Sequence, residues 1–94
     1  MLLGTGGTID VVSIKVCVVY ESETGIIKHI HHSITLEGGS PTPDEQVEHK
    51  ALEIAAKRHP DPGRLRTLPI PNESLNPNRR YRVDHESRSL IEQE

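Results

Sequence analysis

The chain has 94 residues, a mass of 10.5 kDa and a formal net charge of −3. This length fits one small domain and excludes a multi-domain enzyme, while a pI near 6.0 excludes a basic nucleic-acid-binding chain. Only Tyr20 and Tyr81 are aromatic, so the core has to be built from aliphatic side chains, which bury less area each. Small domains with thin cores are often stabilised by assembly. We therefore expect a homo-oligomer, with a dimer favoured.

The first thirteen residues differ in composition from the rest of the chain. They are rich in glycine and threonine, which predicts a flexible N-terminal segment, or an extra strand if Val11 and Val12 join the sheet. Residues 14–94 are predicted to form a single small domain. Within the first segment, residues 3–9 (LGTGGTI) resemble the N-terminal signature of the L-asparaginase family, in which Thr5 would be the nucleophile. That family also requires a His-Gly-Thr-Asp motif, and no His-Gly dipeptide occurs here, so we do not predict this activity.

A β-hairpin is predicted from residues 14–36. Residues 14–20 are mostly β-branched and read as a strand, and Gly25 is expected to adopt a left-handed conformation in the following turn. Residues 26–36 form a second strand whose even positions are the more apolar. We therefore expect the even positions to face the core. These positions are Ile26, Lys28, Ile30, His32, Ile34 and Leu36.

Residues 42–59 are the strongest helix candidate. Thr42 is the expected N-cap, Pro43 the first helical residue and Glu45 the partner in a capping box. A stripe of apolar residues at helical spacing is expected to face the sheet. The stripe consists of Val47, Ala51, Ile54 and Ala55. The following residues 59–63 (HPDPG) end the helix.

The sequence after the helix predicts an edge strand followed by a second hairpin. Residues 65–70 contain apolar residues at strand positions, but Pro69 confines them to the edge of a sheet. Residues 79–91 resemble a hairpin whose turn, residues 83–87 (VDHES), has the same pattern as residues 20–24 (YESET). The predicted fold is therefore a small α+β domain in the order ββαβββ, with an antiparallel sheet from two hairpins packed against one amphipathic helix.

A pair of histidines is the first candidate site. His29 and His31 share one face of a predicted strand, and two neighbouring imidazoles can supply two ligands to zinc or a similar metal. A third ligand would have to come from elsewhere, such as His49, His59 or a carboxylate. The alternative is that both are exposed polar residues on the solvent face of the sheet, with His32 partly buried.

A basic region is the second candidate site. Residues 57–88 contain eight Lys and Arg against four Asp and Glu, whereas residues 1–56 contain three against eight. Arg79, Arg80 and Arg82 could bind an anion. The alternative is that the basic region is a solvated surface, or meets the acidic half of another subunit. Nucleic acid is disfavoured as the ligand because the sequence lacks aromatic platforms and a recognisable nucleic-acid-binding motif.

The sequence favours an interaction protein over an enzyme. No catalytic set is evident, and the single cysteine, Cys17, lies in an apolar run and is expected to be a small core residue. The absence of disulfide-forming pairs indicates a reducing compartment, so a cytoplasmic location is expected, and no apolar run is long enough for a membrane span. We therefore expect a small non-catalytic accessory or interaction protein, with a metal-binding protein or an anion binder as alternatives.

Overall fold

The computed structural model describes residues 10–93, and residues 3–9 therefore lie outside the described residues. It confirms the predicted α+β class and the element order ββαβββ. The elements are β1 (Val11–Glu21), β2 (Ile27–Leu36), α1 (Asp44–Ala56), β3 (Leu65–Ile70), β4 (Arg80–Asp84) and β5 (Ser89–Gln93). Short 3-10 turns at Pro62–Arg64 and Asn72–Ser74 precede and follow β3.

The first three strands form one antiparallel sheet in the order β2-β1-β3. Within it, Cys17 of β1 lies opposite His31 of β2 on one side and opposite Pro69 of β3 on the other. β3 is an edge strand, as Pro69 predicts, because a proline has no N–H to donate to a further strand. Among the described strands, β4 and β5 pair only with each other, so the second hairpin forms a separate two-stranded sheet.

The central strand β1 is buried on both faces because α1 covers one face and the second hairpin covers the other. The cluster on the helix side contains Cys17, Val19, Val47, Ala51, Ala55 and Leu65. The cluster on the hairpin side contains Val18, Tyr20, Leu68 and Val83. A strand that is buried on both faces has a continuous run of apolar residues in place of an alternating pattern. This explains the apolar sequence of residues 16–20 (VCVVY). The domain thus has three layers, in the order helix, sheet and hairpin.

The expectation for the two faces of β2 is wrong. From His29 onward its odd positions face α1, with His29 and His31 half-buried, whereas Ile30, Ile34 and Leu36 are exposed. The reason is that α1 packs on the face of β1 that carries Cys17 and Val19, and the sheet register places the odd positions of β2 on that same face. The second hairpin is too short to cover the whole opposite face.

The predicted capping box at the start of α1 is also wrong. The helix begins at Asp44 with Pro43 as its N-cap, and no side chain of residues 10–93 caps it. Instead, the Lys15 ammonium of β1 donates a 2.8 Å hydrogen bond to the Thr42 carbonyl oxygen and lies 2.8 Å from the Asp44 carboxylate. A tertiary contact therefore holds this end of the helix. The helix ends at Ala56, before the predicted residue 59.

Within residues 10–93 no helix is long and apolar enough to cross a membrane.

The two hairpin turns have the same local chemistry, as their sequences predict. The Glu21 carboxylate accepts hydrogen bonds from the backbone N–H groups of Glu23 and Thr24, at 2.8 and 2.9 Å. The Asp84 carboxylate accepts the equivalent bond from the Glu86 N–H at 3.1 Å. Acidic side chains at the first position of a turn commonly do this. Both turns end in a left-handed residue, which is Gly25 in the first hairpin and Arg88 in the second.

Candidate functional site

His29 and His31 lie together, as predicted, but beneath the helix. Their ring centroids are 5.8 Å apart and the rings are tilted by 39°. The expectation that they lie on the solvent face, with His32 partly buried, is wrong, because His32 is the exposed member of the three. The cause is the sheet register, which places His29 and His31 on the helix side of the sheet and His32 on the hairpin side.

The surroundings of His29 disfavour a cation. Its Nε2 atom is buried and has no hydrogen-bond partner within residues 10–93. A pocket of about 230 Å³ adjoins it, lined by Lys28, His29, Ile54, Ala55, Arg58, His59 and Pro60. Burial lowers the pKa of His29, and the charges of His31 and Arg58 lower it further.

Metal coordination would need a third ligand beside the two imidazoles. Within the described part of the chain, no group of three or more His, Cys, Asp or Glu side chains is placed to bind a metal ion. The predicted contributors His49 and His59 therefore do not complete a site with His29 and His31. The Nδ1 atom of His59 instead accepts a 3.0 Å hydrogen bond from the Asp61 N–H.

The three arginines predicted to bind an anion do not converge. Arg80 and Arg82 are exposed on the outer face of β4, since Tyr81 and Val83, which alternate with them, point inward. The Arg79 guanidinium lies 3.4 Å from the Glu92 carboxylate. Arg79 also lines a different groove, together with Ile30 and His32. The trio is therefore divided between two surfaces.

A cationic pocket that the sequence analysis missed lies where the two hairpin turns meet β3. It has a volume of about 450 Å³ and is lined by Tyr20, Ser22, Arg66, Thr67, His85 and Arg88. These residues come from β1, β3 and both turns, so sequence spacing does not bring them together. One local signal could have found it. Aligning the two turns pairs Gly25 with Arg88, so an arginine occupies a left-handed position with φ +54° that favours glycine.

An exposed aliphatic surface is the second feature that the structure reveals. Ile14 of β1 and Ile30, Ile34 and Leu36 of β2 lie exposed on the hairpin side of the sheet. Ile30 borders the groove that Arg79 lines, and the other three lie beyond the area that the hairpin covers. Each exposes a third or more of its surface. We call these four residues the aliphatic face. It adjoins the outer edge of β2, which no further strand of residues 10–93 covers and which we call the free edge. Contiguous exposed apolar patches beside such an edge are typical of interaction sites.

The remaining reactive groups have structural roles. The Cys17 thiol is fully buried, which confirms it as a core residue. In the second turn, the Asp84 carboxylate accepts a backbone hydrogen bond and the Ser87 hydroxyl lies 2.7 Å from that of Ser89. No hydrogen bond within residues 10–93 joins His85 to Ser87, so these residues do not form a base–nucleophile pair.

Comparisons of the chain with protein-family models, with curated proteins and with solved structures find no match. The surfaces described above are therefore the basis for a functional proposal.

Proposed function

We propose that this chain is a small non-catalytic interaction protein that acts as a homodimer, formed by antiparallel pairing of the β2 strands of two copies. The observation that carries this proposal is the free edge of β2 beside the aliphatic face. Sheet edges that are left unprotected are templates for pairing with another chain, and proteins usually block them with proline, charge or a bulge.

The two edges of the sheet differ in this respect. β3 has six residues and contains Pro69, with Pro71 directly after it, so this edge is blocked. β2 has ten residues, contains no proline and carries one charged residue, Lys28, at its second position. Only the β2 edge of the sheet is therefore suited to accept another strand.

A second copy is the occupant that best fits this edge. Strands paired across a two-fold axis place residues of the same face opposite each other. In one allowed register, Ile30 lies opposite Ile34 of the second copy and His32 lies opposite itself. This register joins the two aliphatic faces into one and places no pair of lysines together. The result is a six-stranded sheet with β2 of each copy at its centre.

The area of the aliphatic face suggests a dimer of modest affinity. A ten-residue strand is about 34 Å long and two strands span about 10 Å, so the face measures roughly 340 Å². Edge-to-edge pairing sets the two faces side by side in one sheet, so only the cross-strand contacts, such as that of Ile30 with Ile34, are buried. The buried area is therefore well below the roughly 800 Å² that each partner of a stable interface buries, and the backbone hydrogen bonds along β2 provide most of the binding. We expect a dimer that dissociates on dilution in the micromolar range.

The test is the solution mass of the protein as a function of concentration. Sedimentation velocity should show a monomer–dimer equilibrium for the native chain, and Ile34→Lys should shift it to monomer because it places a charge at the interface. Ile26→Lys is the matched control, because Ile26 is similarly exposed (51% against 57%) but lies in the turn before β2. A strictly monomeric native chain, or equal effects of the two variants, would exclude the proposal.

The same proposal includes a reducing compartment, such as the cytosol. Its support is that the one cysteine, Cys17, is a buried free thiol within the core, which is typical of proteins that do not depend on disulfides.

A further inference from the structure

We infer that the pocket between the hairpin turns and β3 is a binding site for a phosphate group, either inorganic phosphate or a phosphate monoester. The six residues that line it, given above, are called the turn pocket. They include two arginines, one histidine and three hydroxyl-bearing residues. This inference is independent of the proposed dimer, since none of these residues belongs to β2 or to the aliphatic face.

The two arginines carry charge that the surrounding chain does not neutralise. Neither Arg66 nor Arg88 forms an ion pair with a carboxylate of residues 10–93. The nearby Glu21 and Glu23 carboxylates are both engaged by the guanidinium of Arg64. The pocket therefore retains a positive charge that favours an anion.

Backbone contacts hold both guanidinium groups in place. Arg66 donates hydrogen bonds of 2.9 Å to the carbonyl oxygens of Gly63 and Leu65. Arg88 donates a 3.0 Å hydrogen bond across to the carbonyl oxygen of Thr67, the residue next to Arg66. Each guanidinium has five N–H donors, so several remain free for a ligand. Planar, preorganised donors of this kind suit the several oxygens of a phosphate.

Tyr20 supplies a second, independent observation. Its side chain is 3% exposed and lines the turn pocket. No hydrogen bond within the described residues uses its hydroxyl, whose oxygen keeps some exposure and is therefore open to a ligand in the pocket. A phosphate oxygen in the pocket would accept a hydrogen bond from it. The hydroxyl of Ser22 and the imidazole of His85 add further donors at the rim.

The backbone of Arg88 agrees with a role for its side chain. Its φ of +54° is unfavourable for residues other than glycine, and the matching position of the first hairpin is Gly25. An arginine at this position therefore costs stability relative to glycine. What the protein gains in exchange is the guanidinium group, which glycine lacks. The pocket volume of about 450 Å³ lies within the range of small-molecule sites and has room for the ester group of a phosphate monoester.

The test is a titration of the isotope-labelled chain followed by NMR, with inorganic phosphate and with free phosphoserine in separate series at low ionic strength. Saturable shifts of the Ser22, Arg66 and Arg88 amide signals are expected, and added salt should weaken binding. Tighter binding of phosphoserine would identify the ester as the ligand, and equal or tighter binding of inorganic phosphate would identify the free ion. Shifts that never saturate with either probe would overturn the inference.

Two variants separate binding from folding. Arg88→Gly relieves the unfavourable φ but loses the hydrogen bond to Thr67, so the variant should unfold at about the same temperature. It should bind phosphate roughly tenfold or more weakly because a charge-assisted hydrogen bond to the ligand is lost. Tyr20→Phe removes only the hydroxyl and should also weaken binding. Arg80→Gln is the control, because it removes one charge from the outer face of β4 and should leave the affinity within about twofold. Equal affinities of Arg88→Gly, Tyr20→Phe and the native chain would refute the site.

Discussion

The Val83 amide donates a 2.9 Å hydrogen bond to the carbonyl oxygen of Gly25, which joins the turn of the first hairpin to the first strand of the second. This contact is the point at which the two sheets touch through their backbones. It requires glycine for two reasons. The φ of Gly25 is +76°, and a Cβ at this position would overlap the carbonyl oxygen of Val83.

Replacing Gly25 by alanine should therefore separate the two hairpins. We expect Gly25→Ala to lower the free energy of unfolding by about 2–3 kcal/mol, from the left-handed conformation and the lost hydrogen bond together. Gly38→Ala is the control, since Gly38 has φ +87° but no atom lies within 4 Å of the place that its Cβ would occupy, and it should cost about 1 kcal/mol. Urea denaturation measures both, and equal losses would contradict the role of the close contact.

The Glu21 carboxylate should make stability depend on acid. Hydrogen bonds from the backbone N–H groups of Thr24 and Glu23 lower its pKa, and the Arg64 guanidinium lowers it further. Its contribution is therefore present above the ordinary glutamate pKa of about 4.3 and is lost as the pH falls through the lowered folded value. Glu21→Gln should destabilise the protein near neutral pH and have a shrinking effect in acid.

Denaturation at a series of pH values tests this prediction. Glu73→Gln is the control, because Glu73 is exposed and forms no ion pair within residues 10–93. A Glu21→Gln effect that is the same at every pH would argue against the carboxylate charge as its source.

The Cys17 thiol should be inert in the folded protein. Burial, reinforced by the nearby Glu48 carboxylate and opposed by a backbone hydrogen bond with Leu68, raises the pKa of the thiol to about 11. Since the thiolate is the reactive form, iodoacetamide should modify Cys17 at mildly alkaline pH only as the chain opens. Mass spectrometry of the native and urea-unfolded protein should show a much slower reaction in the native state, and comparable rates would show that the thiol is accessible.

His29 should also destabilise the fold in acid. Because burial and its charged neighbours lower its pKa, its contribution is fully present above the ordinary histidine pKa of about 6.5 and declines as the pH falls from there towards the folded value. His29→Gln should reduce this loss of stability between neutral and mildly acidic pH. His49→Gln, an exposed substitution on α1, should leave the profile unchanged. A profile unaffected by His29→Gln would exclude this histidine as the cause.

The protein should contain no stoichiometric zinc. His29 and His31 supply two ligands, the described chain places no third beside them, and the Arg58 charge acts on the same site. Elemental analysis of protein purified without a histidine tag should find no bound metal, and added zinc should not raise the melting temperature. Stoichiometric zinc that His31→Gln removes would show instead that the pair does bind a metal.

Local features of the fold were predictable from the sequence because neighbouring residues determine them. The acid at position 21 or 84 accepts hydrogen bonds from residues two or three positions later, so both turns can be recognised from a few residues. Pro69 places β3 at an edge in the same local way. The start of α1 was not predictable, because Lys15, which holds it, comes from β1.

The candidate sites needed the tertiary structure for the same reason. The turn pocket combines residues from β1, β3 and both turns. No spacing along the chain indicates that Tyr20 and Arg88 line the same pocket. The sequence alone placed the chain in the α+β class, located its strands and helix, and brought His29 and His31 to one face of a strand. Alternation along a strand defines two faces but does not say which one will be covered. Only the packing of α1 on one side and of a shorter hairpin on the other decided that the histidines lie beneath the helix and the isoleucines remain exposed.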